Sequence, residues 1–486
     1  MTLPLLLGLA VPLALLACGA AGLPQHPTWR EDLLRNALVT ERPAAAAGSE
    51  QGGGSGGRDK AGAGAWGAAL HTEHETMQNL VAEAGYPLEE HFVTTADGYV
   101  LGVYRIPAGR GSSSTAGASR RGSGIPQRTH GRAGAGAGSG GSAEARPPVL
   151  LLHGVLDSSA AWVLNEPSQS LGFILPDAGF DVWLGNSRGN GFSRNHTGLD
   201  PARAEFWDFS WDEMAAADVP AMVSYVLQQS GAPQLAYVGH SQGTTQLLAA
   251  LASQPALRSR LSVAVMLAPA VHMRGIHAPA MQILAAMDAD RLFSVFGAHE
   301  FMPNFSKEAA DIFGEVCRAT PLACASIITA IAGFNSANVN MTRLPTMVKY
   351  APSGTSVKNI VHWAQAIRKS RQRRQPLFQF FDYENVCYTP TGLPCTCNMR
   401  VYHALEPPSY DLGSIDSPPL AIFHGGRDKL ADVQDVGTLL RALPPETVVY
   451  TQFEPTYEHI DFTWGIDACT RIYPAVLQLL RRYSAA

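Results

Sequence analysis

Three side chains that could together carry out nucleophilic acyl transfer occur in the order Ser241, Asp428, His459. A serine hydroxyl needs a base to take its proton, and the base needs an acid to orient it. Ser241 lies in the stretch YVGHSQGTT, inside the pattern G-x-S-x-G, which marks a sharp turn when a strand feeds a helix. The same pattern recurs at Ser55 and Ser187, so context must separate the three. Ser55 sits in a Gly-rich tract with no fixed neighbours. Ser187 follows an apolar run, but turn-forming residues and no helix come after it, so a structural role is expected. Asp428 comes from HGGRD and His459 from EPTYEH, each after an apolar run. Asp432 is the rival acid, one turn later. His424 is the rival base, but it precedes the acid. A tetrahedral intermediate also needs backbone donors. One is expected from Gln242, directly after the serine. The other is expected from the HGVL stretch, at Val155, with His153 structural.

These residues require strands that end where they begin. Apolar runs at 147–152, 180–185, 235–238, 420–423 and 447–453 read as strands, and residues 91–106 as a hairpin around Ala-Asp-Gly. Helical periodicity covers 211–229, with a stop at Gly231, and 244–251. Strands alternating with helices imply a mostly parallel sheet covered on both faces. In such sheets functional residues gather at the carboxyl ends of the strands. The regularity breaks between about 271 and 410, which reads as an inserted, mostly helical cap. The expected domains are a leader at 1–22, a Gly/Ala-rich segment at 23–70, a core in two parts at 71–270 and 410–486, and the cap at 271–409. Residues 43–69 and 108–146 are Gly-, Ala- and Ser-rich and are expected to be disordered, because they bury too little apolar area to offset ordering entropy.

The 486 residues carry 46% hydrophobic content and a formal net charge of -5, which points away from a nucleic-acid partner. The apolar start, LPLLLGLAVPLALLACGAAG, reads as a secretory signal peptide, although it lacks a basic n-region. A signal anchor, or a lipid anchor at Cys18, are the competing readings. Six cysteines remain after it: Cys317, Cys324, Cys387, Cys395, Cys397 and Cys469. An even number in an exported chain favours disulfides, with Cys317 and Cys324 close enough to close a small loop. No metal site is expected; Cys395 and Cys397 have the wrong spacing for zinc. Sequons begin at Asn195, Asn304 and Asn340.

The chain resembles the animal acid lipase family, which includes gastric and lysosomal acid lipases. The stretches that carry the resemblance are LLLHGVLDSSAAW, LPDAGFDVWLGNSRGN, EFWDFSWDEMAAADVPA, YVGHSQGTT, APSGTSVKNIVHWAQA, GGRDKLADVQDVG and YEHIDFTWG. They run from about residue 71 to the end, outside the Gly-rich insert. The resemblance implies an α/β-hydrolase fold, a Ser241–Asp428–His459 triad, and oxyanion donors at Val155 and Gln242. It implies a structural role for GNSRGN and a lid at roughly 296–334. It also implies hydrolysis of triacylglycerols or cholesteryl esters without a metal or cofactor. The expected partner is lipid at an emulsion or membrane interface, with no obligate protein partner, in the secretory pathway, secreted or lysosomal. Two features depart from the relatives: the insert at 108–146, and Ala332 near the place of a cap cysteine common in the gastric type. The basic run 368–374 reads either as a contact for anionic lipid or as a solvated or processed loop. A short-chain esterase or thioesterase on the same fold, a catalytically silent lipid-binding protein and, more weakly, a peptidase are the alternatives.

Overall fold

Short apolar runs rich in Val, Leu and Ala cannot stay in water, and runs flanked by helices on both faces pack best as parallel strands. A computed structural model describes residues 77–110, 146–286, 298–302, 307–333, 335–384, 386–388 and 394–484. It assembles nine strands into one sheet: β1 (Glu89–Thr94), β2 (Tyr99–Ile106), β3 (Pro148–Leu152), β4 (Asp181–Gly185), β5 (Asn195–His196), β6 (Leu235–His240), β7 (Leu261–Leu267), β8 (Leu420–Gly425) and β9 (Val448–Glu454). The order is β1-β2-β4-β3-β6-β7-β8-β9, with β5 pairing β2. Strands β4, β3, β6, β7, β8 and β9 run parallel to one another, while β1, β2 and β5 form an antiparallel edge that joins β4 through β2. Every residue of β3, β4 and β6 is buried, as a strand covered on both faces must be.

The core helices are α1 (Leu171–Asp177), α2 (Val219–Ser230), α3 (Gln242–Ser253), and later α9 (Val433–Ala442) and α10 (Tyr473–Ser484). The single helix expected over 211–229 is instead interrupted. A short turn at Trp211–Glu213, closed by a Ser210 capping box, passes into a π-helical stretch at Met214–Asp218 before α2 begins. The wider turn lets Asp218 point at Arg188, with which it is ion-paired and buried. Gly231 ends α2 in the left-handed conformation, as its position suggested.

Between β7 and β8 the chain builds the cap. Its longer helices are α4 (Pro279–Ala286), α5 (Lys307–Ala319), α6 (Pro321–Ala332), α7 (Leu344–Tyr350) and α8 (Val357–Arg373), with a short helix at Cys397–Tyr402 and two small strand pairs, Glu300–Phe301 with Thr355–Ser356 and Val386–Tyr388 with Pro394–Thr396. A cluster of Trp211, Met273, Ile276, Trp363 and Ile367 joins cap to core, and Val155 and Leu430 pack against it. Cys317 and Cys324 form a disulfide between α5 and α6. Cys397 is also disulfide-bonded, but Cys469 is a free thiol, so the even count does not translate into full pairing. The leader, the Gly-rich segment at 43–69, Asn304 and most of 108–146 lie outside the described residues. Among the described residues no helix is long and apolar enough to cross a membrane.

Candidate active site

Ser241 stands between β6 and α3 with φ 52° and ψ -119°, a backbone conformation that L residues rarely adopt. The strain is held by what surrounds it. The Ser241 N–H donates to the Leu267 carbonyl on β7 at 3.0 Å. Gly243 lets α3 close onto β3, since a Cβ there would sit 2.4 Å from the Leu152 carbonyl oxygen. Gly154, in the loop after β3, approaches from the other side; a Cβ there would meet the Ser241 Cβ at 3.0 Å and its Oγ at 3.4 Å. The serine is thus pushed out at the carboxyl edge of the sheet, beside the loop that carries Val155.

His459 and Asp428 arrive on the loops after β9 and β8 and are buried. The Ser241 hydroxyl donates to His459 Nε2 at 2.7 Å. His459 Nδ1 lies 2.8 Å from Asp428 Oδ2 and 3.0 Å from Oδ1. A carboxylate only accepts, so Nδ1 carries the proton and Nε2 is free to receive one. The backbone N–H groups of Leu430 and Ala431 both donate to Asp428 Oδ1 at 2.8 Å, which fixes the carboxylate. His240 bonds the His459 carbonyl at 3.0 Å and lies against its ring, with centroids 4.9 Å apart. Burial, and then the nearby His459, push the His240 pKa down to about 3, so His240 adds no charge beside the base.

The rivals lie elsewhere. Asp432 caps α9, accepting from the Gln434 N–H at 2.8 Å. His424 packs against Phe453. Ser187 is buried, its Oγ accepting from Gln246 Nε2 at 3.0 Å, and neighbouring Arg188 is held by Asp97 and Asp218. His153 Nε2 accepts from the Ser187 N–H, a structural bond. Several cations of the basic run are engaged within the cap, while Arg374 is exposed at the end of α8. Arg368 pairs with Glu384, Lys369 with Asp382 and Glu384, and Arg373 with Glu406, while Arg371 bonds the Arg274 and Ile276 carbonyls. Asn195 is exposed, and Asn340 is half-buried, accepting from Thr342 of its own sequon at 2.7 Å.

Gln242 opens α3, where helix geometry leaves its N–H without an intrahelical acceptor. Its side chain reaches the cap. The Gln242 Oε1 accepts from Asn359 Nδ2 at 2.9 Å and from Trp363 Nε1 at 2.7 Å, both on α8. Sequence reasoning missed this link, which joins residues 117 and 121 positions apart in the chain.

An α/β hydrolase fold family matches residues 147–466, and a partial α/β-hydrolase lipase region matches residues 77–166. The chain is 36% identical to human lipase member K over 84% of this chain and 91% of that protein. It is 36% identical to human lysosomal acid lipase/cholesteryl ester hydrolase over 86% of this chain and 95% of that protein. Bovine gastric triacylglycerol lipase is also 36% identical, over 83% and 90% respectively. The chain belongs to the animal acid lipase family. As a member of that family, on an α/β-hydrolase core, it is an ester-hydrolysing enzyme of the lipase type.

Proposed function

We propose that the chain hydrolyses the carboxylic esters of neutral lipids, triacylglycerols or cholesteryl esters, through an acyl-enzyme on Ser241. The observation that carries this is the continuous relay from the Ser241 hydroxyl through His459 to Asp428, with bonds of 2.7 and 2.8 Å. The Ser241 Oγ attacks the ester carbonyl as its proton passes to His459 Nε2. Charge on the carbonyl oxygen is received by the N–H groups of Gln242 and Val155. Protonated His459, held by Asp428, gives its proton to the departing alcohol. Water, deprotonated by the same imidazole, then releases the fatty acid. No step calls on a cofactor.

The names of two relatives, a cholesteryl ester hydrolase and a triacylglycerol lipase, support the substrate class. Ile312, Val316 and Leu322 on α5 and α6 are 65%, 50% and 76% exposed, and an apolar lid surface of this kind suits contact with a lipid interface. The disulfides support folding in an oxidising compartment, so the chain is assigned to the secretory pathway, secreted or lysosomal. The test is fatty-acid release from emulsified triacylglycerol and cholesteryl ester, with Ser241→Ala alongside. The mutant is expected to lose activity by on the order of 10⁴-fold or more. Equal release by both proteins would overturn the assignment of the nucleophile; inertness on emulsions but hydrolysis of soluble esters would overturn the lipid substrate.

A further inference from the structure

A hydrogen-bonding side chain buried beside a nucleophile normally either touches substrate or is occupied holding something else. That of Gln242 is occupied from above. Its single carbonyl oxygen takes two donors, Asn359 Nδ2 and Trp363 Nε1, from successive turns of one face of α8. The Gln242 amide nitrogen faces the Met214 sulfur at 3.5 Å, in the π-helical stretch. Gln242, Asn359 and Trp363 are all buried.

The donors are themselves anchored to the core. Asn359 Nδ2 also bonds Thr355 Oγ1 at 3.2 Å, and its backbone N–H caps onto Ser356 Oγ at 2.9 Å. The Ser356 hydroxyl in turn donates to the carbonyl of Phe209, a core residue. Trp363 packs against Trp211, ring centroids 4.4 Å apart, in the cluster that also receives Val155. One helix of the cap therefore hydrogen-bonds one of the residues read as oxyanion donors, Gln242, and contributes Trp363 and Ile367 to the cluster against which the other, Val155, packs.

We propose that Asn359 and Trp363 are positioning residues for the oxyanion hole, and that α8 is a fixed part of the active site. An oxyanion donor stabilises developing charge only if its N–H is aimed before the reaction begins. Gln242 is the first residue of its helix, so no intrahelical bond of its own N–H fixes its peptide. The Ser241 carbonyl of the same peptide accepts from the Thr244 N–H at 2.9 Å and the Thr244 hydroxyl at 2.6 Å, and the clamp adds a second restraint from the side-chain end of Gln242. It follows that α8 stays docked on the core through the reaction. This inference rests on the reading of Gln242 as an oxyanion donor.

The test uses the full chain and a soluble monomeric ester, so that interfacial effects do not enter. Trp363→Phe removes one donor and keeps an aromatic ring; Asn359→Ala removes the other. Each is expected to lower kcat by about 3- to 10-fold, the loss of one net hydrogen bond, with KM nearly unchanged. Affinity for an alkylboronic acid, which forms a tetrahedral adduct on the serine, is expected to fall in parallel. In a Gln242→Ala background, which keeps the backbone N–H but has no carbonyl to clamp, neither substitution is expected to change kcat by more than about twofold. Tm is recorded throughout. If both substitutions lower kcat and Tm equally in the two backgrounds, their role is cap stability and the proposal fails. It also fails if kcat is unchanged in both single variants. Fluorophosphonate labelling of Ser241 in the same samples separates the two readings: no labelling of the wild type would sink the nucleophile assignment, whereas full labelling with unaltered kcat would sink only the clamp.

Discussion

At the scale of single residues, the site is built from backbone that L side chains avoid. Ser241 at φ 52° and ψ -119° carries strain of about 1–3 kcal/mol, held in place by its neighbours. Glycine adopts this conformation freely, alanine does not. Ser241→Gly is therefore expected to be more stable than Ser241→Ala by about 1 kcal/mol while both are inactive. Parallel denaturant titrations would show it, and equal midpoints would mean that the elbow is relaxed. Gly154→Ala places a methyl 3.0 Å from the Ser241 Cβ and 3.4 Å from its hydroxyl. The serine must give by a few tenths of an ångström, so activity should drop, by less than the ~10²-fold that a misplacement of about an ångström costs. Thermal stability should change far less; a collapse of Tm to match the activity would show that the glycine serves folding instead. The meeting of Ser241, Asp428 and His459 was legible because each follows a strand of the sheet, and local context was enough to set Ser187 apart; Ser55 lies outside the described residues. The Gln242 clamp was not legible, because its donors lie more than a hundred residues away, on a helix whose register against α3 only tertiary packing sets.

At the scale of elements, buried parallel strands announce themselves as short apolar runs, which is why β3, β4, β6 and β8 could be read within a residue or two, while β9, VVYTQFE, is a half-exposed edge strand read to within a residue. Strand β7, LSVAVML, is equally apolar yet went unread, and it matters. Its end holds the Ser241 N–H, and Ala268 just beyond it bonds the Phe423 carbonyl on β8. It spaces the strand of the nucleophile from the strand of the acid. The π-helical widening at Met214–Asp218 was hidden because periodicity near 3.6 tolerates one extra residue per turn. In the cap, the segment following α6 is stitched to the His459 loop: Ile466 N–H donates to the Asn338 carbonyl at 2.7 Å, and Val339 bridges Gly465. The Cys317–Cys324 disulfide, with a sequence separation of 7, braces α5 against α6 between that stitch and the rest of the cap. Replacing both cysteines by serine is expected to remove about 2.5 kcal/mol of loop-closure stabilisation. Hydrogen exchange should show the loss within 307–333, with the β6–β8 strands still protected; exchange rising across the whole sheet would contradict a local brace.

At the scale of the whole molecule, two sets of buried ionisable groups oppose each other. Burial pushes His153 and His272 down to about 4 and His240 and His362 to about 3. These stay neutral in the fold but take a proton near 6.5 when unfolded, so their contribution is lost as pH falls from about 6.5 towards 4. Burial also pushes Asp212 up to about 7, helped by Glu213, and Asp435 and Asp461 to about 6. A raised carboxyl holds its proton in the fold, so its contribution is complete below about 4 and is lost as pH rises through 6 to 7. Across that shared window the slopes have opposite sign. Tm is expected to be nearly flat between about pH 4.5 and 6.5 and to fall below about 4, where the histidine slope alone remains. A steep decline starting already at pH 6.5 would mean that these carboxyls are ionised in the folded chain.

The two ends of the stretch 111–145 have one more consequence. Arg110, past the end of β2, and Arg146, just before β3, both bond the last turn of α1, at Asp177 and Pro176. Strands β2 and β3 flank β4, so the chain departs and returns about two strand spacings apart, roughly 10 Å. Both ends are therefore anchored on the core. Replacing 111–145 by a Gly-Ser bridge about a quarter as long should leave hydrolysis unchanged and raise stability by about 1 kcal/mol. The same gap would accept a fluorophore-binding tag or a second folded module as cargo, with its ends held at the last turn of α1 rather than at the site.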